Sequence, residues 1–156
     1  MLNKLLKQLH KKLLKNNKTI ATAESCTGGL LASLLTETSG SSQYFLLGVT
    51  TYSNKAKIKI LGVPAKVITK YGAVSKQVAI LMAKNIRKKI NSSIGVSITG
   101  IAGPAGATLK KPVGTIYICL SMKNKNSCQK FSFSGSRPEI RKTSVSQALH
   151  LLLKNL

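Results

Sequence analysis

The stretch TIATAESCTGG, residues 19–29, decides how this chain folds. Thr19 to Ala23 are small or β-branched, as strands are. After them come Ser25 and Thr27, both of N-cap type, then Gly28 and Gly29, which let another group approach the backbone, and then Leu30, Leu31, Leu34 and Leu35 at helical spacing. A strand therefore turns into a helix at one junction. Free N–H groups at such a junction converge on one spot, where they can bind an anion, cap their own helix, or stabilise an oxyanion beside a nucleophile. Local sequence leaves two readings of Ser25 and Thr27 open, a helix cap or part of a reacting site.

Upstream, Leu2, Leu5, Leu6, Leu9, Leu13 and Leu14 recur at three- and four-residue steps within Met1 to Asn17, which predicts a helix with one apolar stripe and lysines elsewhere. Downstream, Thr38 to Ser42 is a turn cluster and Tyr44 to Tyr52 a buried strand. Ser53-Asn54 can cap a short helix through Lys55, Lys57 and Ile60 that Gly62 and Pro64 stop. Gly72 to Ser75 introduces a longer helix to about Ile90, and Ile94 to Ile98 reads as a third strand. That strand opens into a glycine-rich loop, Thr99 to Gly106, which lacks the GK[ST] of a P-loop and the context of a dinucleotide fold. The loop is either a tight turn or a place where backbone approaches a small ligand. Val113 to Ser121 and Gln129 to Phe133 read as a hairpin joined by the polar turn Lys123 to Ser127, and a last helix starts near Pro138.

Strands alternating with helices, followed by a hairpin and a helix, predict an α/β fold: a single domain over 1–156, a three-layer α/β/α sandwich with a mixed sheet. Ligands in such sheets sit beyond the carboxyl ends of the strands. Those ends carry Ser25, Tyr52 and the Thr99 to Gly106 loop.

Composition removes several function classes. The net charge is +22, from 25 Lys plus Arg against three acids. Only Arg87, Arg137 and Arg141 are arginines, and the lysines are spread over every segment, so the specific Arg recognition of nucleic acid is not expected. There is no Asp, and the acids are Glu24, Glu37 and Glu139. Paired-carboxylate hydrolysis, two-metal chemistry and a Ser-His-Asp triad all lack parts. Cys26, Cys119 and Cys128 form no CxxC pair, so no metal site is expected, and a reduced cytoplasmic compartment fits. No apolar run reaches membrane-spanning length, and no uninterrupted signal-peptide core is present.

The surviving catalytic option is a serine activated by a lysine whose pKa burial has lowered. Lys57 is the best placed, because it follows the end of the second strand, although on residue type alone the reading as a solvated surface lysine is the stronger one. Tyr52 could relay the proton or orient Lys57. Cys26 is the rival nucleophile but has no histidine near it in sequence, and the literal S-x-x-K at Ser127 to Lys130 falls in a hairpin.

The segments ATAESCTGGLLASLLTETSGSSQYF, GVTTYSNKAKIKILGV, YGAVSKQVA, SITGIAGPAG and KPVGTIYI, in this order and spacing, resemble the CinA C-terminal domain family, the PncC-type nicotinamide-nucleotide amidohydrolases. The likeness covers Lys18 to Leu120 closely and the final helix loosely. It implies deamidation of nicotinamide mononucleotide to nicotinate mononucleotide and ammonia in pyridine-nucleotide recycling, with Ser25 as nucleophile, Lys57 as general base and Tyr52 in support. It further implies an oxyanion site at the backbone of Cys26, Thr27 and Gly28. The substrate would lie along Thr99, Gly100, Ile101, Ala102 and Gly103, with Arg137 and Arg141 at its phosphate. No metal or cofactor is implied; the partners implied are a small nucleotide and a second copy in a homodimer. Larger members carry a further N-terminal domain, whose chemistry is not expected here. Where the family pattern has paired glycines this chain has Leu47-Gly48 and Gly106-Ala107. The rival expectation is a catalytically silent nucleotide-binding or competence-associated nucleic-acid-binding protein.

Overall fold

The first strand, β1 (Ile20–Glu24), is buried along its whole length, and the fold is built outward from it. The computed structural model describes residues 2–156; Met1, where the first predicted segment begins, lies outside the described residues. Helix α1 (Leu2–Lys15) precedes β1, and α2 (Leu30–Thr36) with a 3-10 turn at Ser41–Gln43 leads to β2 (Phe45–Thr50). Helices α3 (Asn54–Leu61), α4 (Ala65–Tyr71) and α5 (Lys76–Lys89) lead to β3 (Ile94–Gly100). The hairpin β4 (Thr115–Met122) and β5 (Lys125–Ser132) and the long α6 (Arg137–Asn155) complete the chain.

The sheet order is β2-β1-β3-β4-β5. β1 runs parallel to both β2 and β3, while β4 is antiparallel to β3 and to β5, so the sheet is mixed as expected. From β1 the chain steps to one side through α2 and returns past β1 to β3 through α3, α4 and α5. A reversal of that kind leaves a crevice at the carboxyl ends of the central strands.

Alternation of side chains along β1 sorts the two layers. Ile20 belongs to the core shared with Leu9 and Leu13 of α1, Leu31 and Leu35 of α2, and Val145, Leu149 and Leu152 of α6. Ala21 and Ala23 belong to the opposite core, with Leu61, Val63, Ile68, Val78, Met82 and Ile86. The small residues on this side let α5 lie close to the sheet: Ser97 Oγ donates to the Ala79 carbonyl at 2.6 Å, and a Cβ at Gly95 would stand 2.0 Å from the Ala83 carbonyl oxygen.

Three expectations are corrected. The strand within Tyr44 to Tyr52 is not buried: β2 lies at the sheet edge and alternates half-buried with exposed residues. Residues 65–71 form a helix that the sequence reading lacks; only Ile68 is buried there, too little to write a period, and the helix begins directly after Pro64 at its N-cap. The hairpin turn is not Lys123 to Ser127 but the two residues 123–124, because Met122 pairs with Lys125 and β5 continues from there. Most of β5 is exposed at the sheet edge, so its polar residues hide the strand.

Candidate active site

The junction after β1 separates two adjacent side chains by strand alternation. Glu24 faces α2, where its carboxylate accepts the N–H groups of Gly29 at 3.1 Å, Leu31 at 3.1 Å and Ala32 at 2.9 Å. Gly29 occupies the N-cap position of α2 with φ +94° and supplies no side chain, so this buried carboxylate is the cap. Neither Ser25 nor Thr27 caps the helix. Sequence reasoning missed Glu24, although an acid placed just before a helix start was the available signal.

Ser25 faces the other layer, toward α3. Its N–H donates to the Ile98 carbonyl at 2.9 Å, which extends the β1–β3 ladder one residue and fixes the hydroxyl at the strand end. Helix α3 starts under a Ser53 cap, in which the Ala56 N–H donates to Ser53 Oγ at 3.0 Å. One turn on, Lys57 points inward and is 1% exposed. Its Nζ lies 2.9 Å from Ser25 Oγ, 2.8 Å from the Thr51 carbonyl oxygen and 3.4 Å from the Tyr52 carbonyl oxygen.

As an ammonium Lys57 donates to all three oxygens; the same geometry serves the neutral amine. Two N–H bonds point at the two carbonyls, which leaves the lone pair for the Ser25 hydroxyl proton. Burial pushes the Lys57 pKa down from 10.5 to about 8, with the neighbouring Cys26 acting weakly the other way. Cys26, beside Ser25, has its thiol pushed up to about 11, chiefly by burial, and so is a poor nucleophile near neutrality.

A cleft of about 290 Å³ opens over the pair. Ser25, Cys26, Lys57, Tyr52 and Asn54 line one side; Thr99, Gly100, Ile101, Ala102 and Gly103 line another, with Arg137 at the mouth. Asn54, at the start of α3, is read in the sequence only as a helix cap, yet it lines the cleft.

Other expected site residues sit differently. Tyr52 is 59% exposed, and its hydroxyl accepts from Arg137 at 2.7 Å; only its main-chain carbonyl reaches Lys57. Arg137 also donates to the Gly103 carbonyl at 2.7 Å, bridging two walls of the cleft. Arg141 is not in the cleft wall: its guanidinium donates to the Thr27 carbonyl at 2.7 Å and buttresses the junction from behind. The Gly28 N–H donates to the Ser25 carbonyl at 3.0 Å, which removes it from the expected oxyanion set. Among the described residues the N–H groups of Cys26 and Thr27 donate to no backbone carbonyl, and the Cys26 N–H lies against its own thiol.

The glycine-rich segment is partly strand, since β3 runs through Thr99 and Gly100. Thr99 Oγ1 donates to the Ala73 carbonyl at 3.0 Å and ties this wall to the residues before α5. At Gly100 a Cβ would stand 2.7 Å from the Thr115 carbonyl oxygen and 2.3 Å from Ile116, so β4 requires glycine there.

A three-layer α/β domain with a buried Ser–Lys contact at its carboxyl-end crevice is the class that fold and site define. The chain belongs to the CinA family, whose C-terminal domain model matches residues 2–156. It is 50% identical over 144 residues to a CinA-like protein of Endomicrobium trichonymphae, covering 92% of this chain and 34% of that protein. It thus spans about a third of the length of the curated relatives it matches. A competence-damaged protein (CinA) superfamily structure from Escherichia coli superposes with a TM-score of 0.96 at 32% identity, covering 100% of this chain and 91% of the other. The competence/damage inducible protein CihA of Agrobacterium tumefaciens gives 0.95 at 36% identity, with 98% and 94% covered. Among the described residues no helix is long and apolar enough to cross a membrane.

Proposed function

We propose that this domain hydrolyses the carboxamide of nicotinamide mononucleotide, giving nicotinate mononucleotide and ammonia, through a Ser-Lys mechanism. The observation that carries the reading is the 2.9 Å approach of a buried lysine amine to Ser25 Oγ. Neutral Lys57 takes the hydroxyl proton as Ser25 Oγ attacks the amide carbon. The oxyanion is held by the N–H groups of Cys26 and Thr27. Lys57, now an ammonium, returns the proton to the departing nitrogen, which leaves as ammonia. A water then gives a proton to Lys57 as its oxygen attacks the acyl carbon; the bond to Ser25 Oγ breaks and Lys57 returns that proton to Oγ, which releases the acid and restores the neutral amine.

At the cleft mouth Arg137 is the cationic group for the substrate phosphate, and the exposed Tyr52 ring supplies an apolar face for a heterocycle. Arg141, which donates to the Thr27 carbonyl and does not line the cleft, is not assigned to that contact. The domain is proposed to act as one unit over the chain, in the cytoplasm, which rests on the cysteine pattern, and as a homodimer, which rests on family likeness alone.

Ammonia release from nicotinamide mononucleotide by wild type, Ser25→Ala and Lys57→Ala tests the reading. Each variant is expected to lose at least about a hundredfold in kcat. Unchanged turnover in Ser25→Ala removes the serine mechanism, and inert wild-type protein that still binds the nucleotide removes the enzyme.

A further inference from the structure

In the antiparallel half of the sheet, two of the three cysteines face each other. Cys119 on β4 and Cys128 on β5 are direct partners in the antiparallel register. Counting back from Met122–Lys125, which closes the two-residue turn, the pair falls on a non-hydrogen-bonded position. Directly opposed residues there have Cα atoms about 4.5 Å apart, inside the roughly 4.4–6.8 Å that a disulfide spans. Both side chains point to the same face and pack with Ala79, Ala83, Ile80 and Tyr117 beside α5. Both thiols are free.

The two sulfurs are not equivalent. Cys119 is fully buried, whereas Cys128 is half-buried and reaches the edge strand, 4.0 Å from the Lys76 carbonyl. The Cys119 thiol donates to the Leu120 carbonyl at 3.8 Å; the nearness of the two thiols raises the pKa of Cys119 and lowers that of Cys128, and the Lys76 ammonium favours the Cys128 thiolate. The outer sulfur is the one a reagent can reach, and the inner one stands behind it.

We propose that Cys119 and Cys128 form a reversible cross-strand dithiol/disulfide couple, oxidised by low-molecular-weight disulfides, with Cys128 as the attacking thiol and Cys119 as the resolving one. The Cys128 thiolate attacks one sulfur of glutathione disulfide, breaking its S–S bond and releasing a glutathione thiolate. Cys119 then attacks the Cys128 sulfur of the mixed disulfide and expels the second glutathione, which leaves with the Cys119 proton. Two protein thiols are oxidised and one glutathione disulfide is reduced to two thiols. Cys26, buried in the other half of the molecule, takes no part.

The test is incubation of the full chain with glutathione disulfide, followed by intact mass and non-reducing peptide mapping. Wild type is expected to lose two hydrogens, to yield a linked Cys119–Cys128 peptide, and to revert under a thiol reductant. Cys119→Ala is expected to stop at a single glutathione adduct on Cys128, and Cys128→Ala to acquire no adduct at position 119. A wild-type protein that ends as a persistent mixed disulfide at Cys128, or that links Cys26 instead, overturns the proposal. So does one whose three thiols stay free while an unstructured cysteine peptide in the same tube is oxidised.

Discussion

Glu24 and Ser25, adjacent in sequence, project to opposite faces of the sheet, and the first releases the second from helix capping. The carboxylate takes three N–H groups of the α2 start, so the hydroxyl is left for Lys57. Glu24→Gln replaces one acceptor oxygen by an NH₂ that faces N–H donors. Loss of about 2–3 kcal/mol is expected, lowering the melting temperature by about 4–12 °C. Thermal unfolding measures it, and a variant as stable as wild type removes the capping role.

Lys57 must be neutral to accept a proton, and its pKa lies near 8. At pH 7 about a tenth of the protein carries the free amine. kcat/KM is therefore expected to climb with pH and level off above about 8. A profile already flat across neutrality assigns the base elsewhere.

The same group links stability to pH. Its folded pKa, about 8, lies below the ordinary 10.5, so between these values the unfolded chain binds more protons than the native one. Burial of Lys57 costs stability in full below about 8, and the cost is relieved as pH rises toward 10.5. Urea titrations of wild type and Lys57→Met should diverge across that window, wild type gaining by at most about 1.4 kcal/mol per pH unit. A constant difference between the two proteins would show that no proton is linked to this side chain.

The Tyr52 hydroxyl meets Arg137 and not the reacting pair. Tyr52→Phe is expected to keep kcat within about tenfold, whereas removing a proton-relay group costs about 10²–10⁴. Arg137→Ala removes both the Tyr52 and the Gly103 contacts, and is expected to raise KM for the phosphorylated substrate more than for its nucleoside. Equal effects on both substrates would place Arg137 in wall structure alone.

Hydrophobic spacing made the sandwich legible: the leucines of α1, the Ser53 and Ser75 caps, and the apolar runs of β1 and β3 all lie where their residues point. What stayed hidden has physical reasons. Helix α4 buries one side chain and so has no period; β5 is an edge strand whose polar residues read as turn. Within the site, Ser25, Lys57 and the Thr99 to Gly103 wall line one cleft. The contacts of Tyr52, Arg141 and Gly28 depend on directions that only tertiary packing sets. The carbonyls that aim Lys57 belong to backbone, about which residue type is silent.

Ser25 and Lys57 stand 32 residues apart and meet only once β2 has docked beside β1 and α3 has settled over both. Long-range pairing of that kind is slow relative to helix formation. During refolding, far-ultraviolet ellipticity should recover ahead of turnover, so that catalytic competence reports completion of the sheet and a partly folded chain is silent.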